Sequence, residues 1–226
     1  MEKTILDKKE IQAIISRLGK EITEDYKNAE KPPVLLCVMK GAMVFCADLM
    51  REIKIDIILD YIQVKSWAGT KSTGVINMVK DVSTDLNGRD VLVIEDIVDT
   101  GCSMLYLYTY LRKKFNMKSL KVCALLDKPS GREVEIKADY VGYTLSGNEF
   151  LVGYGLDYRG LVRNAPCIYV PSQDEIARWD ENGDVVTLGR KDNQVKLRGA
   201  ASASGTCRIL SPKATFSRTD ICGNTA

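Results

Sequence analysis

The segment Val91 to Ser103, V-L-V-I-E-D-I-V-D-T-G-C-S, restricts the possible folds more than any other part of this chain. Val91-Leu92-Val93-Ile94 is an unbroken apolar run with three β-branched residues, the pattern of a strand buried on both faces of a parallel sheet. Glu95 and Asp96 close that run. Asp99-Thr100-Gly101-Cys102-Ser103 then makes a turn of small residues before a helix-like stretch from Met104 to Phe115. A strand, a loop and a helix N-terminus in this order collect backbone N–H groups and the positive end of a helix dipole, which suits a phosphate monoester. Thr100 and Ser103 add hydroxyl donors, and Gly101 permits close approach of the backbone. The adjacent carboxylates can bind vicinal hydroxyls of a sugar that carries the phosphate. In an open α/β sheet, ligands bind beyond the carboxyl ends of the strands, where these groups would lie. The competing reading, a solvated acidic loop after a core strand, leaves this ordered set of acids, hydroxyls and glycine unexplained.

The rest of the chain supplies a sheet for that strand. Asp7 and Glu10 make a capping box for a first helix whose apolar positions Ile11, Ile14, Ile15, Leu18 and Ile22 keep helical spacing, with Pro32 and Pro33 expected to stop it. Val34 to Val38 reads as a buried strand, followed by Met39-Lys40-Gly41 and a helix to about Glu52. Ile57 to Val64, Val75 to Val79, Leu120 to Leu126 and Tyr140 to Thr144 read as further strands. Strands alternating with helices in this way predict an α/β fold with a doubly wound, mainly parallel sheet.

The length and the 45% hydrophobic content support one substantial core, and residues 1–175 are expected to form it. From residue 176 to 226 apolar residues are scattered and small residues run together, so this tail is expected to be largely disordered. No stretch of about 18 apolar residues occurs and Met1 to Lys20 lacks the apolar centre of a signal peptide, so a cytoplasmic protein without a membrane partner is expected. The seven cysteines, at 37, 46, 102, 123, 167, 207 and 222, include no C-x-x-C pair and suggest neither a disulfide framework nor a zinc site. The net charge of +2 divides unevenly. Seven basic residues against two acids after position 184 give that stretch +5, leaving −3 for residues 1–184, so no nucleic-acid partner is expected.

E-D-I-V-D-T-G-C-S resembles the phosphoribosyl-diphosphate signature of the type I phosphoribosyltransferases, and among them the hypoxanthine-guanine branch. Ser103 stands where the family usually has Thr and keeps the hydroxyl. The likeness extends to Met39-Lys40-Gly41, similar to the family's pyrophosphate loop with its cis peptide, and to Leu125-Leu126-Asp127-Lys128-Pro129. It also includes Phe150-Leu151-Val152-Gly153-Tyr154-Gly155-Leu156-Asp157-Tyr158. Lys65 to Gly74 resembles the family's closing loop, with Ser66-Trp67 where Ser-Tyr is usual. The likeness covers roughly residues 5–175.

The resemblance implies the type I phosphoribosyltransferase fold, with a small hood built from N- and C-terminal segments, and transfer of a phosphoribosyl group to a 6-oxopurine. Asp99 would be the general base. Glu95 and Asp96 would position the ribose, and the loop Asp99, Thr100, Gly101, Cys102 and Ser103 would hold the 5-phosphate. Lys40, Gly41 and Arg163 would face pyrophosphate, while Ser66 and Trp67 would close over the site. Lys128 would donate to O6 of the base, Phe150 would stack on it, and Leu151 would read its edge through the backbone. Mg2+ would be held by Glu95, Asp96 and Asp157. The partners implied are phosphoribosyl diphosphate, a hypoxanthine or guanine base, and further copies of the chain in a dimer or tetramer. Xanthine remains open as the base, and a regulator that senses phosphoribosyl diphosphate on the same fold is the reading from another class.

Overall fold

The computed structural model describes residues 3–68, 72–173, 175 and 176. In chain order the elements are β1 (Lys3–Leu6), α1 (Lys8–Tyr26), β2 (Val34–Met39), α2 (Met43–Glu52), β3 (Ile58–Ala68) and β4 (Ser72–Lys80). They continue with β5 (Asp90–Val98), α3 (Cys102–Lys114), β6 (Ser119–Asp127), β7 (Tyr140–Thr144) and β8 (Ile168–Val170), with a short 3-10 turn at Pro129–Gly131. Two compact units result, one of residues 9–148 and one that joins residues 1–8 to the chain after 148. Of the expected tail, 176–226, residues 177–226 lie outside the described residues. Its first residue, Ile176, is instead buried with Val152, Tyr158, Cys167 and Tyr169, so the small core reaches one residue further than expected.

The larger unit is a six-stranded sheet in the order β4-β3-β2-β5-β6-β7, parallel throughout except for β4, which runs antiparallel to β3. Alternation along the central strands fills both faces, as a doubly wound sheet requires. Val34, Leu36, Val38, Val91 and Val93 pack with Met104, Leu107 and Leu111 of α3. Leu35, Cys37, Leu92 and Ile94 have the opposite pleat and are equally buried, with α2 against β2 and β5. Close packing on this side depends on Gly19, where a Cβ would stand 2.5 Å from Glu52 Cβ, and on Gly142, where it would stand 2.4 Å from the Leu125 carbonyl oxygen. Arg17 of α1 donates to the carbonyls of Val141 and Gly142, both at 2.9 Å, and so covers part of the β7 edge.

At the other side of the sheet, Asp60 of β3 ties down the chain that follows β4. Its carboxylate accepts the N–H groups of Ser83 and Thr84 at 2.7 Å and Lys80 Nζ at 3.1 Å. Burial opposes ionisation of Asp60, but these donors and its own neighbour Tyr61 outweigh it and hold the pKa down to about 2.

The smaller unit pairs β1 with β8 antiparallel, Thr4 opposite Tyr169, around its own small core. N- and C-terminal segments thus combine, as the hood implied by the resemblance requires. Neither strand was legible in the sequence, since runs of four and three residues carry too little alternation to register.

Four expectations need correction. α1 ends at Tyr26, well before Pro32, because the apolar stripe of that helix has no continuation beyond Tyr26. The signature strand does not stop at Ile94 but runs through Glu95 and Asp96 to Val98, paired with β6 as far as Asp127. Segments 65–68 and 72–74, read as parts of a loop, lie within β3 and β4, with Ala68 opposite Ser72; residues 69–71 lie outside the described residues. Cys167 is disulfide-bonded, whereas Cys37, Cys46, Cys102 and Cys123 are free.

Candidate active site

Because β2, β5 and β6 are adjacent and parallel, the three loops that follow them leave the sheet at one edge. They carry Lys40 and Gly41, Asp99 to Ser103, and Lys128. The sequence-predicted groups of the larger unit therefore share the carboxyl ends of neighbouring strands, the usual ligand edge of an open α/β sheet.

The acid pair comes first along β5. Glu95 is buried and, among the described residues, its Oε2 has no hydrogen-bond partner. Burial, then the charge of Asp96 and a hydrogen bond with it, push the Glu95 carboxyl well above the ordinary carboxylate range. Asp96 keeps its carboxylate partly accessible and accepts the N–H of Ile97 at 2.9 Å. That carboxylate lies directly over Gly41, where a Cβ would stand 1.7 Å from Asp96 Oδ2. Gly41 is therefore required by close approach. The peptide between Met39 and Lys40 is cis, as the resemblance implied.

The loop after β5 is built on Gly101, at φ +84°, a conformation that favours glycine. A Cβ there would also meet Ile136 Cγ2 at 2.7 Å and Val134 Cγ2 at 3.0 Å. Thr100 accepts the N–H groups of Glu133 and Val134 on its carbonyl at 2.9 and 3.3 Å, and that of Cys102 on its Oγ1 at 3.3 Å. α3 begins at Cys102, two residues before the expected Met104, so Cys102 and Ser103 belong to the first helical turn. The N–H groups of that turn have no partners within the helix itself, which suits them to an anion. Cys102 Sγ lies 3.9 Å from Glu133 Oε2.

Lys128 closes β6 and is buried, its side chain only 8% exposed. Nζ lies 3.6 Å from Asp99 Oδ2, while the Asp99 side chain is 45% exposed. The lysine N–H donates to the Val98 carbonyl at 3.0 Å, so the loops after β5 and β6 are joined at their roots. Sequence reasoning passed over Gly131, where a Cβ would stand 1.9 Å from Asp99 Oδ1, and Arg132, which binds the Asp99 and Val98 carbonyls. The available signal was weak. Both follow Lys128-Pro129-Ser130, but only the fold brings them under Asp99.

In the smaller unit the Phe150 ring is exposed and packs edge-on against Tyr158, with centroids 6.1 Å apart. Leu151 is buried, and Val152 exchanges backbone hydrogen bonds with Tyr169, both 3.1 Å. Gly153, Tyr154 and Gly155 follow at φ +94°, +48° and +99°, a backbone excursion rather than a helix start. Asp157 pairs with Arg163 at 2.5 Å and accepts the Gly160 N–H at 2.6 Å. Arg163 also donates to the Gly155 carbonyl. The two residues expected to meet metal and pyrophosphate separately are thus each other's partners. Ser66 and Trp67 are residues of β3.

With a strand-end glycine loop, an acid pair and a buried lysine in place, comparison with known proteins shows the family. The family described as phosphoribosyl transferase domain matches residues 1–159. The chain belongs to that family. Its relatives include the hypoxanthine-guanine phosphoribosyltransferase of Streptococcus thermophilus, 42% identical over 175 residues, covering 77% of this chain and 95% of that protein. The Bacillus subtilis enzyme of the same name is 42% identical over 171 residues, 75% of this chain and 93% of that one. Among solved structures, a hypoxanthine phosphoribosyltransferase from Staphylococcus aureus superposes with a TM-score of 0.71 at 38% identity, covering 76% of this chain and 91% of the other. A Trypanosoma cruzi hypoxanthine phosphoribosyl transferase gives a TM-score of 0.72 at 35% identity, with 78% and 94% covered.

Proposed function

We propose that this chain transfers the 5-phosphoribosyl group from phosphoribosyl diphosphate to N9 of hypoxanthine or guanine, giving IMP or GMP and pyrophosphate. One observation carries the choice of base: a buried donor, Lys128 Nζ, lies 3.6 Å from an acceptor, Asp99 Oδ2. A 6-oxopurine with its proton on N7 presents the complement, the acceptor O6 beside the donor N7–H. Lysine can only donate, so the donor amino group of adenine is rejected. The same argument admits xanthine, which shares O6.

In this reading Asp99 takes the N7 proton as N9 attacks the anomeric carbon, and pyrophosphate leaves. The first turn of α3 and the loop before it hold the 5-phosphate. Glu95 and Asp96 orient the ribose hydroxyls, and Lys40, Gly41 and Arg163 meet the departing pyrophosphate. Phe150 offers its exposed ring to the base and Leu151 its backbone. Ser66 and Trp67 belong to the hairpin assigned to closing off water, which would otherwise capture an oxocarbenium-like transition state. All these groups lie between Lys40 and Arg163, and no catalytic role is assigned from residue 176 onward.

The donor set fits magnesium. Glu95 Oε2 is a buried oxygen without a partner, beside a second carboxylate. Among the described residues no three acidic or sulfur side chains converge on one point, so substrate oxygens and water would complete the coordination, as Mg2+ commonly requires. Glu95 and Asp96 in the larger unit and, separately, Asp157 in the smaller unit are the residues the family resemblance assigns to the ion. When bound, the ion would neutralise charge on pyrophosphate as it leaves.

The reading extends to a cytoplasmic enzyme acting as a dimer or tetramer. Among the described residues no helix is long and apolar enough to cross a membrane. Phosphorus NMR of the purified protein with phosphoribosyl diphosphate, magnesium and hypoxanthine tests the proposal. Paired growth of nucleoside monophosphate and pyrophosphate signals is expected. Release of pyrophosphate without a purine nucleotide would reject base transfer.

A further inference from the structure

Among the described residues Arg132 donates four hydrogen bonds, to the scaffolding of the two loops that face phosphate and base. Its Nε donates to the Asp99 carbonyl at 3.0 Å, and its Nη2 donates to the Val98 carbonyl at 3.1 Å and to the Asp127 carboxylate. Its Nη1 donates to the Ile136 carbonyl. Val98 and Asp127 form the last paired rung of β5 and β6. One planar guanidinium therefore holds the root of the phosphate loop, the root of the base-reading loop and the return segment behind both. The side chain is only 17% exposed, and its Cδ is also one of the atoms that a Cβ on Gly101 would strike, at 3.1 Å.

We infer that Arg132 is a positioning residue, setting the Asp99 carboxylate against Lys128 Nζ and holding the phosphate loop in its anion-binding shape. The inference rests on the function proposed above for Asp99 and Lys128. The physical case is one of geometry. A guanidinium offers five donors in a fixed fork, so four acceptors on three segments can be satisfied at once and in one plane. A lysine offers three donors from a single atom and cannot reach acceptors on opposite sides of that fork. Without the fork, the Asp99 carbonyl loses the donor that fixes its peptide plane, and the Val98 carbonyl loses one of its two donors and keeps the Lys128 N–H. The orientation of the following loop N–H groups is then free to change. Reacting groups displaced by about 1 Å can cost about 100-fold in rate.

The test uses the full-length chain as Arg132→Gln and Arg132→Lys, with circular dichroism to establish folding. Two readouts are taken: affinity for ribose 5-phosphate by calorimetry, and kcat and KM with phosphoribosyl diphosphate and hypoxanthine. Arg132→Gln is expected to bind ribose 5-phosphate at least tenfold more weakly and to lower kcat about 100-fold, with a smaller change in KM for the base. Millimolar guanidinium should recover at least a tenth of the lost kcat in Arg132→Gln, which a general loss of stability would not allow. Arg132→Lys, which keeps the charge, should recover little. If Arg132→Gln does not fold, Arg132→Lys decides. A folded variant with wild-type phosphate affinity and kcat within threefold of wild type overturns the inference. Failure of the proposed function would be seen separately, as absence of turnover in the unaltered protein; ribose 5-phosphate binding then decides the role of Arg132 by itself.

Discussion

Gly41→Ala changes one atom group in a loop that touches no base, yet it should disable the ribose end of the site. The new Cβ would lie 1.7 Å from Asp96 Oδ2 and 2.5 Å from its Cγ. An ordinary contact begins near 3.4 Å, so the carboxylate must retreat by roughly the same 1.7 Å again. Gly41 is not among the residues with positive φ, so alanine meets no backbone penalty there and the whole effect passes through Asp96. A displacement of this size in a group that orients substrate should cost about 100-fold in kcat, equivalent to about 2.7 kcal/mol of transition-state stabilisation. The fold should tolerate the change, because Asp96 is only partly buried and can swing toward solvent. Steady-state kinetics with phosphoribosyl diphosphate and hypoxanthine, together with a thermal melt, measure both quantities. A double-mutant cycle isolates the cause: in an Asp96→Ala background the clash partner is gone, so adding Gly41→Ala should have almost no further effect. Wild-type kcat in Gly41→Ala, or independent losses that simply add in the cycle, would refute the reasoning.

Asp99→Asn should lower kcat by roughly two to four orders of magnitude with little change in affinity for phosphoribosyl diphosphate; wild-type turnover would remove Asp99 from proton transfer. Lys128→Gln supplies an acceptor as well as a donor, so the ratio of kcat/KM for hypoxanthine over adenine should fall, and an unchanged ratio would place O6 recognition elsewhere. Glu95 has a folded pKa raised above its unfolded value of about 4.5, so its favourable contribution is present below that pH and is lost as pH rises through the raised value. The melting temperature of Glu95→Gln relative to the unaltered protein should therefore increase from pH 4.5 to pH 8 in the absence of metal and substrate. A constant difference across that range would mean that Glu95 is not held protonated by its surroundings.

The doubly wound sheet was legible because its central strands are apolar runs bounded by glycine, proline and charge, and β7 was read at its observed limits. The turn between β5 and α3 was legible for a related reason: Thr100, Gly101 and Ser103 between a buried strand and a helix form a local pattern that needs no knowledge of the rest of the chain. Strand ends were harder. β5 continues through Glu95 and Asp96 because its partner β6 continues beside it, and the sequence of β5 alone cannot report that. Gly41, Gly131 and Arg132 show the same limit at the site. Gly41 was assigned by resemblance to a pyrophosphate loop, but its packing under Asp96 is a contact across 55 residues. Arg132 belongs to none of the motifs read in the sequence, and only the return of the chain beneath β5 gives it four acceptors.

The central claim is that a buried lysine donor beside the Asp99 carboxylate selects a 6-oxopurine as phosphoribosyl acceptor. Initial rates of pyrophosphate release from phosphoribosyl diphosphate, measured on the purified protein with hypoxanthine, guanine, xanthine and adenine in turn, test it most directly. Turnover with hypoxanthine and guanine and at least 100-fold lower kcat/KM with adenine is the predicted result. Equal or preferred use of adenine, or no pyrophosphate release with any 6-oxopurine, would contradict it.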